Sequence, residues 1–211
     1  MVAQSKRPYI MPHEYLQRER QADTKSEYHD GIIVAMAGAS WEHNLIVGNL
    51  QRSFGNQMEQ SSCVPVANDM RLRVEECNRY FYPDVIVVCG RPVFADETLD
   101  TLTNPTLIVE VLSESTERMD RRLKWDCYQT LPSLRTYVLI AQDEPRIETF
   151  TRQEDGTWNY SAANKLEAIV SLPAIGCTLR LSDVYARIEF ASVLDPDIKE
   201  LPEPEKTQQN S

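Results

Sequence analysis

Hydrophobic residues return along the chain in two rhythms, and the switches between them set the elements. Tyr15 and Leu16 anchor a helix predicted over residues 12–21. Residues 27–28 and 32–36 are short apolar runs on either side of His29-Asp30-Gly31. An Asp-Gly pair in that position predicts a hairpin, because the tight turn needs residues that tolerate positive φ. Ser40 suits an N-cap, and Leu45, Ile46, Asn49, Leu50 and Phe54 then recur at helical spacing. After Gly55 the pattern becomes that of strands, over residues 63–66, 70–74, 80–89 and 106–112. The last two hold apolar runs dense enough for central strands covered on both faces. Ser113-Glu114-Ser115-Thr116 offers N-cap formers for a helix to about Gln129, which Leu131-Pro132-Ser133 stops. Residues 136–141 and 146–151 read as further strands, short strands and turns run on to Arg180, and residues 182–186 form one helical turn. This order predicts an α/β (α+β) domain with a mixed β-sheet flanked by helices.

Composition narrows the function classes. The chain has 211 residues, 42% hydrophobic and 26% charged, enough for one ordinary core. One domain is expected over residues 1–190. Residues 191–211 are expected to be a disordered acidic tail, since proline and charge leave too little apolar surface to offset ordering. A formal charge of −10 argues against coating nucleic acid or anionic membrane by bulk charge, though it allows a local basic groove. The longest apolar run, Val85–Cys89, is far too short to span a membrane. No apolar segment follows Lys6 and Arg7, so no signal peptide is expected. Five scattered cysteines without a C-x-x-C leave at least one thiol unpaired within the chain and point to a reducing cytoplasm. Cys127 reads as a buried, inert thiol.

Two acids stand where a core is expected. Asp84 opens Val85–Cys89, and Glu110 interrupts an apolar run over residues 107–112. A carboxylate in a central strand loses solvation and needs a cation, a metal or hydrogen bonds in return. Two on neighbouring strands could share one divalent ion, and carboxylates with a backbone carbonyl suit Mg²⁺ better than zinc. Taken singly, Asp84 is better explained as a cap on the strand after Pro83 and Glu110 by an arginine pair; together, on adjacent buried strands, they favour a metal site. Alternation puts Glu110 on one face with Ile108 and Leu112, while Val109 and Val111 point the other way. In the following helix Asp120, Lys124 and Tyr128 share a face. Spacing alone leaves Lys124 either in a surface pair with Asp120 or turned toward Glu110.

These residues resemble the PD-(D/E)XK nuclease superfamily, and within it the Uma-two family of restriction-endonuclease-like proteins. The matching segments are Glu27-Tyr28-His29-Asp30-Gly31, Gly38-Ala39-Ser40-Trp41-Glu42-His43 and Tyr82-Pro83-Asp84-Val85. They continue as Val109-Glu110-Val111-Leu112-Ser113-Glu114-Ser115-Thr116, Asp120-Arg121-Arg122-Leu123-Lys124 with Tyr128, and Leu131-Pro132-Ser133-Leu134-Arg135-Thr136-Tyr137. The resemblance covers roughly residues 10–185 and implies a restriction-endonuclease-like core. It also implies a metal, magnesium with manganese as a substitute, held by Asp84, Glu110 and the carbonyl of Val111. The catalytic lysine of this family sits on the helix, at Lys124, which accounts for Leu112 where a lysine would otherwise stand. Glu27, His43 and Asp69 fall at family-like positions and, with Asp120, are candidates to line the site. Glu114 departs from the proline of many relatives.

The activity so implied is metal-dependent hydrolysis of DNA phosphodiesters. Arg118, Arg121 and Arg122 on the helix, and Arg71 with Arg73 on a strand, are candidate DNA contacts. Each taken alone is better explained as a solvated surface charge. A homodimer would suit a nuclease that cuts both strands. The rival class is a nuclease fold without turnover, acting as a DNA-binding or protein-interaction module. The presence together of Asp84, Glu110 and Lys124 argues against such loss. His13 and His29 have no metal-ligand spacing.

Overall fold

The computed structural model describes residues 8–67 and 69–190; the tail expected over residues 191–211 lies outside them. Helix α1 (Pro12–Glu19) has proline in its first turn, and the Glu14 carboxylate accepts from the Met11 N–H. Strands β1 (Ser26–His29) and β2 (Ile32–Ala35) form the expected hairpin. Its turn puts Asp30 at φ 43° and Gly31 at φ 91°, so the pair is needed for its backbone. Ser40 caps α2 (Trp41–Met58) by accepting the His43 N–H. Then follow β3 (Cys63–Ala67), β4 (Arg71–Val74), β5 (Arg79–Phe81), β6 (Val85–Cys89), β7 (Thr101–Leu102) and β8 (Leu107–Leu112). A continuous helical stretch comes next, made of α3 (Glu117–Met119), a π-helical segment (Asp120–Lys124) and α4 (Trp125–Tyr128). The chain closes with β9 (Thr136–Ala141), β10 (Ile147–Arg152), β11 (Trp158–Ala163), β12 (Ile169–Leu172), β13 (Cys177–Arg180) and α5 (Leu181–Val184).

The run expected as one strand over residues 80–89 is two strands in two different sheets. β5 belongs to a five-stranded sheet ordered β2-β1-β5-β4-β7, and β6 to a six-stranded sheet ordered β11-β10-β9-β8-β6-β3. Pro83 stands at the crossing; lacking an N–H, it cannot continue a ladder. In the larger sheet β8 pairs antiparallel with β6 and parallel with β9, so it is mixed. The helical stretch supplies the crossover that a parallel pair requires. β8 and β9 are buried along their whole length.

Alternation divides the core. Val85, Val87, Val109, Val111, Val138 and Ile140 pack with α2 and α5. Ile86, Val88, Ile108, Leu112, Tyr137 and Leu139 pack on the opposite side with α4, β4 and Phe81. Glu110 lies on the second face, between the sheet and the helical stretch. Tyr15, Tyr28 and Tyr80 seat α1 on the smaller sheet, with ring centroids 5.2 to 5.8 Å apart. Such aromatic pairs contribute about 0.5–1.5 kcal/mol each beyond burial.

Cysteine pairing differs from expectation. Cys63 is bonded to Cys89 and Cys77 to Cys127, leaving Cys177 as a buried free thiol. Cys127 is therefore not the inert thiol expected. Its partner approaches through the sheet, 50 residues away in sequence, which local spacing does not show. No helix among the described residues is long and apolar enough to cross a membrane.

Candidate active site

Asp84 and Glu110 come together because β6 and β8 are neighbours and their register pairs Val85 with Val109. Continuing that register by one residue, just past the end of β6, sets Asp84 opposite Glu110. Asp84 sits just before β6, where Pro83 has ended the other sheet. Its Oδ2 accepts the Val111 N–H at 2.7 Å, and its Oδ1 lies 3.2 Å from His43 Nε2. His43 reaches it from the first turn of α2, and its Nδ1 is buried without a hydrogen-bond partner among the described residues.

Lys124 enters from the helical stretch. Its Nζ lies 3.0 Å from Asp120 Oδ1, 3.1 Å from Glu110 Oε1 and 3.5 Å from Glu27 Oε1. The side chain is buried. The π-helical segment holds both Asp120 and Lys124, and such widened turns recur at functional sites. Tyr137 on β9 donates to the Asp120 carbonyl at 3.1 Å, and Tyr128 on α4 donates to Glu110 Oε1 at 2.8 Å. Glu27, on β1 of the smaller sheet, also meets His29 Nε2 at 3.1 Å, and His29 Nδ1 meets Arg79 at 2.9 Å. One polar chain thus runs from β5 through β1 to the helix and the larger sheet.

The charges do not balance. Glu27, Asp84, Glu110 and Asp120 face one ammonium and two imidazoles, those of His43 and His29. Burial pushes the Glu110 carboxyl well above its usual range; Lys124 pulls the other way, while Asp120, Asp84 and Glu27 add to the rise. Burial likewise raises Asp120 against the pull of Lys124. For Lys124, burial would lower the pKa, but Glu110, Glu27 and Asp120 outweigh it and hold the ammonium well above the usual lysine value. Burial also works against ionised Glu27, yet Lys124 and His29 keep its pKa below normal. The cluster therefore holds a protonated lysine among carboxyls that resist ionising together, Glu110 most of all. Burial raises the Tyr128 and Tyr137 phenols well above their usual value, so both serve as neutral donors.

Excess negative charge on oxygen donors suits a hard divalent cation. Among the described residues no three His, Cys, Asp or Glu side chains meet as a ready cage. A cation here would thus draw on Asp84 and Glu110 and complete its shell from backbone and water.

Of the residues singled out by sequence, Glu27, His43, Asp84, Glu110, Asp120 and Lys124 meet in this cluster. Val111 joins through its N–H. Asp69 does not: it is exposed and pairs with Lys25 at 2.9 Å. Arg71 is not a groove residue. It is buried, pairs with Asp100 at 2.9 Å and lies over the Tyr15 and Tyr82 rings. Arg73 pairs with Glu75, and Arg121 with Glu117 and Glu148. Arg118 and Arg122 are exposed. Sequence spacing missed His29, Tyr137 and Arg79. His29 was within reach, since on a strand it shares a face with Glu27 two residues earlier.

Comparison with known proteins agrees with this architecture. The model of the Uma2 family, described as "Putative restriction endonuclease", matches residues 12–182. Two proteins of Synechocystis sp., both described as uncharacterized, are similar to the chain. One, sll1609, is 42% identical over 145 residues, covering 69% of this chain and 82% of its own length. The other, slr1290, is 35% identical over 186 residues, covering 87% and 95%. The crystal structure of "a putative nuclease belonging to DUF820" from Anabaena variabilis superposes with a TM-score of 0.68 at 18% identity. It covers 83% of this chain and 97% of the other, and at that identity the likeness is one of fold. The mixed α+β core with Asp84, Glu110 and Lys124 at its centre is thus built on a nuclease fold, and the chain belongs to the Uma2 family.

Proposed function

We propose that the chain is a magnesium-dependent endonuclease that hydrolyses DNA phosphodiester bonds. The observation that carries this reading is the meeting of Lys124, from a helix, with Asp84 and Glu110, from adjacent strands, in a buried cluster with surplus negative charge. Asp84, Glu110 and the Val111 carbonyl would hold the metal, with manganese able to substitute. Magnesium there would supply Lewis-acid polarisation of the scissile phosphate. Lys124 stays protonated, so it acts on the phosphate as an electrostatic donor and orients the attacking water rather than serving as a base. Glu27 and Asp120 hold the ammonium from two further sides, which fixes its position. Tyr128 orients the Glu110 carboxyl, and the Val111 N–H orients Asp84. A homodimer would place two such sites on the two strands of a duplex. A cytoplasmic location fits a DNA substrate.

The test is cleavage of supercoiled plasmid with Mg²⁺, Mn²⁺ or EDTA, beside Asp84→Ala and Lys124→Ala. Expected are metal-dependent nicking, its loss in Asp84→Ala together with metal binding, and at least a ~100-fold lower rate in Lys124→Ala with metal binding intact. Undiminished nicking by Asp84→Ala would refute the assignment. Folded wild-type protein that binds DNA but never cleaves it would favour the interaction module instead.

A further inference from the structure

Beside the cluster lies an open cleft of about 430 Å³, lined by Cys77, Arg79, Arg122, Leu123, Asp126 and Cys127. One wall is the helical stretch that carries Lys124; the other runs through β5, which leads directly to Asp84. Two guanidinium groups face this cleft against one carboxylate, in a chain that is acidic as a whole. Arg122 is exposed and has no ion-pair partner among the described residues, not even Asp126 one turn away. The polar contact of Arg79 is an imidazole nitrogen rather than a carboxylate, and its Nε is buried with no acceptor among the described residues. An N–H left so costs free energy that an anionic oxygen would recover. Most other arginines near the site are already neutralised: Arg71 by Asp100, Arg73 by Glu75, Arg121 by Glu117 and Glu148.

We infer that this cleft is a phosphate subsite, in which Arg79 and Arg122 hold a backbone phosphodiester of DNA flanking the scissile position. The inference rests on the nuclease reading and names where the substrate lies. The chain of contacts from Arg79 through His29 and Glu27 to Lys124, at 2.9, 3.1 and 3.5 Å, links the subsite to the reacting end. An acidic protein can then hold DNA through a short basic path rather than a broad basic face.

The test is binding of a fluorescein-labelled DNA duplex in EDTA, followed by anisotropy over a range of salt. Arg122→Gln changes an exposed side chain and is expected to fold normally. It should weaken binding about tenfold and lower the slope of log Kd against log salt by about one. Arg79→Gln, added to it, should lower the slope further. Arg180→Gln, an exposed arginine on β13, should leave both unchanged. Equal losses in Arg122→Gln and Arg180→Gln would reduce the effect to bulk charge and overturn the subsite, as would unaltered binding by Arg122→Gln. If calorimetry shows Arg122→Gln losing inorganic phosphate but keeping DNA, the cleft is a site for free anions and the DNA assignment fails. None of these results bears on metal-dependent plasmid cleavage and its loss in Asp84→Ala, so the two readings fall separately.

Discussion

Two ionic clusters sit in this fold, and they are built on opposite plans. On the smaller sheet, Arg20 and Arg71 meet Asp96 and Asp100, two cations with two anions, at 2.7 to 2.9 Å. At the junction of the two sheets, three carboxyls hold Lys124, a fourth, Asp84, stands beside Glu110, and two imidazoles, His43 and His29, flank the group. In the balanced cluster the arginine pairs hold both aspartates below their usual range. In the unbalanced one, Glu110 and Asp120 rise above theirs. Charge that is matched is explained by the fold. Charge that is left over is carried at a cost in stability and points to something the site must bind.

The largest effect on stability should come from breaking the balanced cluster. Arg71→Met leaves Asp100 with only Arg20 and removes a cation from over two tyrosine rings. We expect a loss of about 3 kcal/mol, the scale of a broken buried pair, with metal binding by calorimetry unaltered. An unchanged melting temperature would mean that this pair contributes nothing to the fold.

The unbalanced cluster should respond in the other direction. Glu110→Gln keeps an oxygen acceptor for Tyr128 and Lys124 but removes the charge that repels Asp84, Asp120 and Glu27. It should stabilise the metal-free protein by about 1–3 kcal/mol at neutral pH while abolishing metal binding. The sign follows from the raised pKa. A carboxyl whose folded pKa lies above the ordinary 4.5 destabilises the fold as pH rises past that value. The gap between variant and wild type should therefore close as pH falls below about 4.5. Magnesium should narrow it too, by binding only the wild-type fold. A variant less stable than wild type in EDTA at neutral pH would show that the surplus charge carries no such cost.

The difference between the clusters also marks how far sequence could lead. Asp84 and Glu110 were legible because a charge inside an apolar run breaks a local pattern, and alternation gave the face of Glu110. The hairpin was legible because Asp30-Gly31 is required by backbone φ. Spacing alone showed Lys124 only as a residue on a helix face, and the family resemblance was needed to single it out; its direction depends on the crossover between β8 and β9 and on the π-helical turn, neither of which spacing reveals. Arg71 shows the opposite failure. Its place on a strand beside Arg73 read as a basic stripe, but its partner Asp100 stands just before β7, the neighbouring strand, 29 residues on in sequence. The split of residues 80–89 between two sheets turns on one proline, which local hydrophobicity could not weigh against the continuous apolar run.

The smallest expected effect separates the clusters by the sign of their response to acid. The Arg20 guanidinium beside Asp96, together with Thr98, pulls that carboxyl from 3.8 to about 2. A depressed pKa contributes stability above about 3.8 that is lost as pH falls toward 2, the reverse of Glu110. Both side chains of this pair are about a third exposed, so solvent screening limits the contribution to under about 1 kcal/mol. Asp96→Asn should lower the melting temperature by a small amount at neutral pH, and by less in high salt, with the difference from wild type vanishing near pH 2. Measured together, Asp96→Asn and Glu110→Gln should diverge from wild type in opposite directions at neutral pH and converge on it in acid. If both variants shifted the same way, the contrast between matched and surplus charge would not explain how the two clusters differ.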